Sequence, residues 1–327
     1  MMFDALRRNP FKFSPCALGL SVFLAMNLGG CVGGKPEVRE TEPATGIRAP
    51  IADKNAYRVS ILAFRSAVAT NAKYNALMSY LSEATGRPFV LVAHSLDRQF
   101  TQVKEGHVDF IFTNPLASVQ MRRLYGVKFL ATVKRPKTGT EFGGLIIVKS
   151  DSEIRELEDL RGKKVVCVAF QTAAGGCNFQ IYHLLQKGIN PFSDFGSFEE
   201  LRSQDRIVLS VLNGSFDAGF IRTGQLEKMA AEGSLNSLDE IRILDLAAAN
   251  DFYYPHTTRL YPEWPFAALP GTDPELMAAV KDALFDLSSD RTAMVAIGAE
   301  GFVAPVNYTP MDELIEELEL KSSDAPR

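Results

Sequence analysis

One tryptophan, four histidines and four cysteines in 327 residues leave little material for metal chemistry. His94, His107, His183 and His256 stand at no ligand spacing, so a structural metal site is not expected. There is no Gly-x-Ser-x-Gly elbow and no phosphate loop ending in Lys-Ser or Lys-Thr. No catalytic constellation assembles, so neither an enzyme nor a cofactor is expected. Excess positive charge is missing too: a formal net charge of −4 gives no support to nucleic-acid binding or a polybasic membrane role. The acidic run from Glu313 to Glu319 reads as a solvated amphipathic face. After Leu28 no segment approaches the length of a membrane span.

What is present starts at the N-terminus. Arg7, Arg8 and Lys12 against Asp4 make a positive leader, and Phe13 to Leu28 is an apolar run too short to span a bilayer comfortably. Leu28-Gly29-Gly30-Cys31 resembles a lipobox, in which the cysteine receives diacylglycerol and becomes the new N-terminus. The alternatives are an ordinary signal peptide, or an anchor helix with a chance cysteine. The expectation is a lipoprotein signal over residues 1–30 and lipidation at Cys31. A flexible tether rich in Gly, Pro, Thr and charge follows over residues 31–55. The chain would sit in the periplasm on a lipid anchor. Val32 replaces the aspartate that commonly retains lipoproteins in the inner membrane, so the choice of membrane stays open.

The remainder is globular in composition, with 46% hydrophobic and 23% charged residues, and long enough for two ordinary domains. Strand-like runs such as Tyr57 to Ala63, Phe89 to Ala93 and Phe142 to Lys149 alternate with helical segments, which predicts a parallel α/β architecture. The alternation restarts near Asp159. Two lobes joined by crossing strands follow: 56–149 for the first part of lobe 1, 150–257 for lobe 2, and 258–320 for the return and C-terminal helices. Residues 321–327 read as a disordered tail. Such a cleft gathers strand C-termini and helix N-termini around a ligand.

Six stretches carry a family resemblance: YLSEATG, GHVDFIFTNP, IRELEDLRGKKV, GGCNFQIYHLLQKGI, LNGSFDAGFIRTGQLEKM and TTRLYPEWPFAALPGTDPELM. They resemble periplasmic substrate-binding proteins of the phosphate/phosphite/phosphonate (PhnD-like) group, over roughly Tyr57 to Ser288. The resemblance implies the two-lobed type II periplasmic binding protein fold. The last two stretches are similar to the periplasmic sensor domain of tetrathionate-sensing histidine kinases, and this chain reads as a free-standing version.

Gln171-Thr172-Ala173-Ala174-Gly175-Gly176 turns from a strand into a helix. Amides at a helix N-terminus make an anion site, and small residues admit a ligand close to the backbone. The bland reading is a tight βα turn. In phosphonate binders this turn resembles Ser-Thr-Ser-Gly; Thr172-Ala173-Ala174-Gly175 lacks two of the three hydroxyls. Arg222, after the strand DAGFI, is placed to hold an oxyanion bidentately or to form an interlobe salt bridge. Thr223 beside it offers a hydroxyl. Thr113 and Asn114 end another strand where the family lines its cleft. Tyr74 aligns with a cleft aromatic or packs its helix, while Tyr261 and Trp264 lie on the return crossing, as cleft wall or interlobe packing. Cys167 and Cys177 flank the turn. A structural disulfide is the leading reading in an oxidising compartment; a redox- or sulfur-sensitive pair and inert thiols are the others.

These residues predict a monomeric solute-binding lipoprotein that captures a small phosphonate- or phosphate-like oxyanion for an ABC transporter. The alternative is a ligand-sensing accessory of a membrane histidine kinase, with sulfur oxyanions as its ligands. Partners are a small anion, the membrane through the lipid, and a permease or kinase.

Overall fold

The computed structural model describes residues 55–63, 66–248 and 250–318. The signal, Cys31, the tether up to residue 54 and the tail 321–327 lie outside the described residues.

Apolar and β-branched runs set the framework. Tyr57–Leu62 (β1) buries Val59, Ser60 and Ile61 in succession, as a strand covered on both faces does. Ala67–Thr85 (α1) starts where the Ser66 side chain accepts from the Ala69 amide and stops at Gly86, whose φ of 65° suits a residue without Cβ. Then come Phe89–His94 (β2), Leu96–Lys104 (α2), Phe110–Phe112 (β3), Pro115–Tyr125 (α3) and Lys128–Lys134 (β4). The chain crosses at Glu141–Phe142 (β5) into Gly144–Lys149 (β6), Lys164–Cys167 (β7), Phe179–Gln186 (α4) and Pro191–Asp194 (α5). Ser197–Glu200 (β8), Gln204–Leu212 (α6), Ala218–Arg222 (β9), Gln225–Ala231 (α7) and Ile241–Ile243 (β10) follow. Tyr261–Pro262 (β11) crosses back to Pro265–Ala268 (β12), Pro274–Phe285 (α8), Arg291–Ile297 (α9), Gly301–Val303 (β13) and Thr309–Glu317 (α10).

The strands form a six-stranded sheet, β13-β4-β12-β3-β1-β2, and a five-stranded sheet, β10-β6-β9-β7-β8. Neither is purely parallel. β1 runs parallel to β2 and β3, and β7 to β8 and β9, as helical crossovers require. β12, β13, β6 and β10 pair antiparallel with their neighbours. β6 and β12 enter their sheets directly from the crossing, through links of one or two residues rather than a helix. The parallel α/β alternation read from the sequence holds within the βα units, and the antiparallel pairs arise at those entries and at the later strands.

The crossing is a two-stranded ribbon, with Tyr261 opposite Phe142 and Pro262 opposite Glu141. Gly143 separates β5 from β6, so the predicted single strand from Phe142 to Lys149 is two, in different sheets. The chain therefore changes lobe ahead of Gly144, not at residue 150.

Each lobe has its own core. Val59, Leu77, Phe110, Phe112, Phe266 and Phe302 fill the first; Val165, Phe195, Phe220 and Leu184 contribute to the second. Behind the crossing, Phe179 of α4 stacks on Tyr261 at 3.8 Å, and Met311 and Leu314 of α10 pack into the same cluster. Asp312 of α10 holds Arg122 and Arg123 of α3 at 2.6 and 2.7 Å, so α10 ties the first lobe to the crossing.

Candidate functional site: an anion cleft

β7 leads into the candidate anion turn. The residues after it form one π turn, Ala174–Asn178, continuous with α4. Its first amides have no acceptor within the helix, as at any helix start. Cys167 at the end of β7 is disulfide-bonded to Cys177 in the π turn, with Cα atoms 5.1 Å apart, and both residues are fully buried. The Val168 amide adds a second tie, donating to the Gly176 carbonyl at 3.0 Å. The two glycines have a packing reason. A Cβ on Gly175 would stand 2.8 Å from the Phe142 ring and 3.2 Å from the Gly143 carbonyl oxygen; one on Gly176 would stand 2.7 Å from Val168. Protein, rather than open space, occupies the room their missing side chains leave. Ala173 and Ala174 lie at the helix start, half-buried and buried.

Across the seam lies the end of β3. Asn114 does two jobs. Its Oδ1 caps α3 by accepting from Ala117, and its Nδ2 donates to the Thr172 carbonyl at 3.1 Å, tying lobe to lobe. Gln120 of α3 donates to the Gln171 carbonyl at 3.4 Å. Thr113 is fully buried, and its Oγ1 has no hydrogen-bond partner; nor do the buried Oε1 atoms of Gln120 and Gln171. Such oxygens are uncommon in native cores.

Charge gathers beside this seam. Arg222 ends β9, and its Nη2 donates to Oε1 of Glu263 at 3.1 Å; its guanidinium also lies over the Phe142 ring at 4.7 Å. Arg222 thus forms an ion pair with a partner on the return crossing. Glu263, on the return crossing, has no exposed side-chain surface. Its Oε2 accepts from the Trp264 amide at 3.2 Å and lies 3.9 Å from Nε of Arg135. Arg135 follows β4 and is pinned by the carbonyls of Ile297 and Gly298 at the end of α9, at 2.8 and 3.1 Å. It also faces the phenol of Tyr74. Burial pushes that phenol's pKa up, with Arg135 pulling the other way.

Lys73, next to Tyr74 on α1, completes the group. Its Nζ lies 5.3 Å from the Tyr74 ring centroid and makes no ion pair among the described residues. Burial, then Arg135, Arg222 and Lys228, bring its pKa down to about 8. Arg135 and Arg222, one from each lobe, thus share one buried carboxylate.

The remaining candidates are spoken for by the scaffold. Thr223 accepts from the Gly143 amide through Oγ1 at 3.2 Å and donates its own amide to the Gly143 carbonyl at 3.0 Å, locking β9 to the crossing. Trp264 is 7% exposed and meets Phe112 edge-on at 5.5 Å, inside the first lobe's aromatic core. Tyr74 packs edge-on to the same Phe112 at 5.8 Å. Sequence reasoning missed Lys73, Arg135 and Glu263. The available signal was a charged residue held among aromatics, in Lys73-Tyr74 and in Pro262-Glu263-Trp264.

The fold is that of type II periplasmic binding proteins. A methylphosphonate complex of PhnD1 from Prochlorococcus marinus superimposes with a TM-score of 0.66 at 15% identity, over 82% of this chain and 99% of that one. The binding protein of an ABC phosphonate transporter from Pseudomonas aeruginosa gives 0.68 at 14% identity, over 82% and 87%. The tetrathionate sensor histidine kinase TtrS of Salmonella typhimurium is 29% identical over 235 residues, 70% of this chain. This chain spans only 39% of that protein's length. The family model for the periplasmic substrate-binding protein of phosphonate ABC transporters matches residues 59–308, and the chain belongs to that family.

Proposed function

We propose that this protein is a lipid-anchored receptor that captures a small oxyanion between its lobes and delivers it to an ABC permease. One observation carries the reading: Arg135 and Arg222, one from each lobe, both face a single buried carboxylate, Glu263. The excess positive charge is unfavourable to keep in a half-buried place, and an anion relieves it. The first amides of the π turn add backbone donors at the start of α4. The methylphosphonate held by the Prochlorococcus neighbour supports an oxyanion of this size. Among the described residues no helix is long and apolar enough to cross a membrane. Diacylglycerol on Cys31 would keep the receptor beside its permease, and the tether would give it reach.

Thermal shift with phosphate, methylphosphonate, phosphite, sulfate, thiosulfate and tetrathionate tests the ligand class. At least one is expected to raise the melting temperature, and Arg222→Ala to abolish that rise. A flat response to all six overturns the oxyanion reading. Radiolabelled fatty acid should enter the wild type and not Cys31→Ser.

The likeness to TtrS supports a second reading, a receptor that reports to a sensor kinase. Crosslinking in intact membranes separates the two: a permease captured with the protein supports import, and a histidine kinase supports sensing.

A further inference from the structure

We propose that Gln180 is a positioning residue for anion binding: its buried side-chain amide fixes a peptide of the turn before α4 and the peptide before Arg222 in one geometry. The inference rests on the oxyanion reading above and names the residue that orders the second lobe's half of that site.

Gln180 lies in the first turn of α4 and is fully buried. Its Nε2 donates to three carbonyls: Gly175 of the π turn at 2.8 Å, Ile221 of β9 at 2.8 Å and Leu145 of β6 at 3.1 Å. The C=O and N–H of a trans peptide point in opposite directions in its plane, so holding a carbonyl aims the N–H of the same peptide. The Ile221 carbonyl shares its peptide with the Arg222 amide, which donates to Oε1 of Gln204 at 2.8 Å. The Leu145 carbonyl shares its peptide with the Ile146 amide, which donates to Oγ1 of Thr257 at 3.1 Å. The third peptide differs: the Gly176 amide, paired with the Gly175 carbonyl, has no acceptor among the described residues. One side chain thus orients an open N–H of the turn together with the backbone that carries Arg222.

Filling space does not explain the residue. Oε1 of Gln180 is buried without a partner, a cost that a leucine or methionine of similar size would avoid. Room is also kept for the amide, since a Cβ on Gly144 would stand 2.4 Å from Nε2. The tie falls on a π turn, where Asn178 donates to the Ala173 carbonyl and Phe179 to that of Ala174; such turns are rare and gather at functional sites.

Calorimetry on the full chain with phosphate, methylphosphonate, phosphite, sulfate, thiosulfate and tetrathionate tests this, well below the melting temperature of each variant. Gln180→Met keeps the side-chain length and removes the donor. It should weaken the best-bound probe at least about tenfold. The ratio between the best and second-best probes should shrink by about threefold or more, because a loosened site discriminates less. Gly144→Ala displaces the same amide from the other side and should reproduce both changes. Leu160→Ala, fully buried in the same lobe's core, is the control for destabilisation: it should lower the melting temperature and leave affinity and ratio within about twofold. Gln180→Met with wild-type affinity and ratio, or Leu160→Ala with an equal loss of affinity, overturns the inference and leaves the oxyanion reading standing. Should Gln180→Met fail to fold, Gly144→Ala decides on the same terms. Failure of every probe to bind the wild type overturns both.

Discussion

Arg222 and Glu263 are bonded across the boundary between the second lobe and the return crossing, Nη2 to Oε1 at 3.1 Å, and the carboxylate is sealed from solvent. Arg222→Ala leaves Glu263 with the Trp264 amide and an Arg135 whose Nε is 3.9 Å away. Stranding one member of a fully buried pair costs about 3–5 kcal/mol. The Arg222 side chain is 30% exposed, so screening brings the expected loss to about 2–3 kcal/mol. The double variant Arg222→Ala/Glu263→Gln should recover part of it, because no charge is left stranded. Urea midpoints of the three proteins decide; an Arg222→Ala loss under about 0.5 kcal/mol would show the pair to be weak.

Cys167 and Cys177 sit ten positions apart and join a sheet strand to the turn that opens α4. In the chain-entropy account, closing a loop this short stabilises by about 2–3 kcal/mol. The pair Cys167→Ala/Cys177→Ala should lose that much in denaturant unfolding. Anion affinity should fall less, since the Val168–Gly176 hydrogen bond still holds the turn. The two sulfurs are joined and fully buried, so neither residue offers a thiol, and tetrathionate or a thiol reagent should leave both unmodified in the native protein. Rapid modification of the folded protein would instead favour the sulfur-sensitive reading.

Gly175 lies between the turn and the crossing. Alanine there drives Cβ to 2.8 Å from the Phe142 ring and 3.2 Å from the Gly143 carbonyl oxygen. Overpacking of this kind costs about 1–3 kcal/mol. Phe142 also carries the Arg222 guanidinium, so Gly175→Ala should weaken anion binding as well as lower the melting temperature. Gly214→Ala is the control. Its Cβ meets nothing within 4 Å, but its φ of 76° is left-handed, so it should cost about 1–2 kcal/mol in stability and leave affinity unchanged.

How far the sequence could be read follows from these residues. The two-lobe order was legible because apolar strands and helical spacing alternate twice, and Arg222 was legible because it ends the apolar strand Ala218–Arg222. Three strands escaped. Lys128–Lys134 has lysine at both ends, Ser197–Glu200 ends in two acids on a sheet edge, and Gly301–Val303 has only three residues. The first two turns of α1 are mostly small and polar, so helical spacing of apolar residues is plain only in its later turns. The charge group was invisible for a different reason. Arg135 and Glu263 are distant in sequence and belong to no motif; the end of α9 pins the first, and the second lies on the return from the crossing ribbon. Asn114 and Thr223 were found as polar residues at strand ends, but a sequence does not say that a helix cap and a ribbon tie already engage their side chains.

Lys73 ties stability to pH with a sign that can be worked out. Burial comes first among the causes that bring it from the ordinary 10.5 to about 8, followed by Arg135, Arg222 and Lys228. Between those two values the unfolded chain keeps the proton and the folded chain loses it. Stability attributable to Lys73 therefore rises with pH across that window, and below about pH 8 the full penalty of the buried charge is present. Lys73→Met removes the penalty. The ligand-free variant should exceed the wild type by about 1–3 kcal/mol at pH 7, less than the full shift implies because Lys73 is only half-buried. The gap should close as pH approaches 10.5. Taking the difference between the two proteins cancels the phenols that titrate in the same range. Urea midpoints measured from pH 7 to 10 give the curve, and a variant that is less stable throughout, by a constant amount, would show that Lys73 serves packing rather than charge.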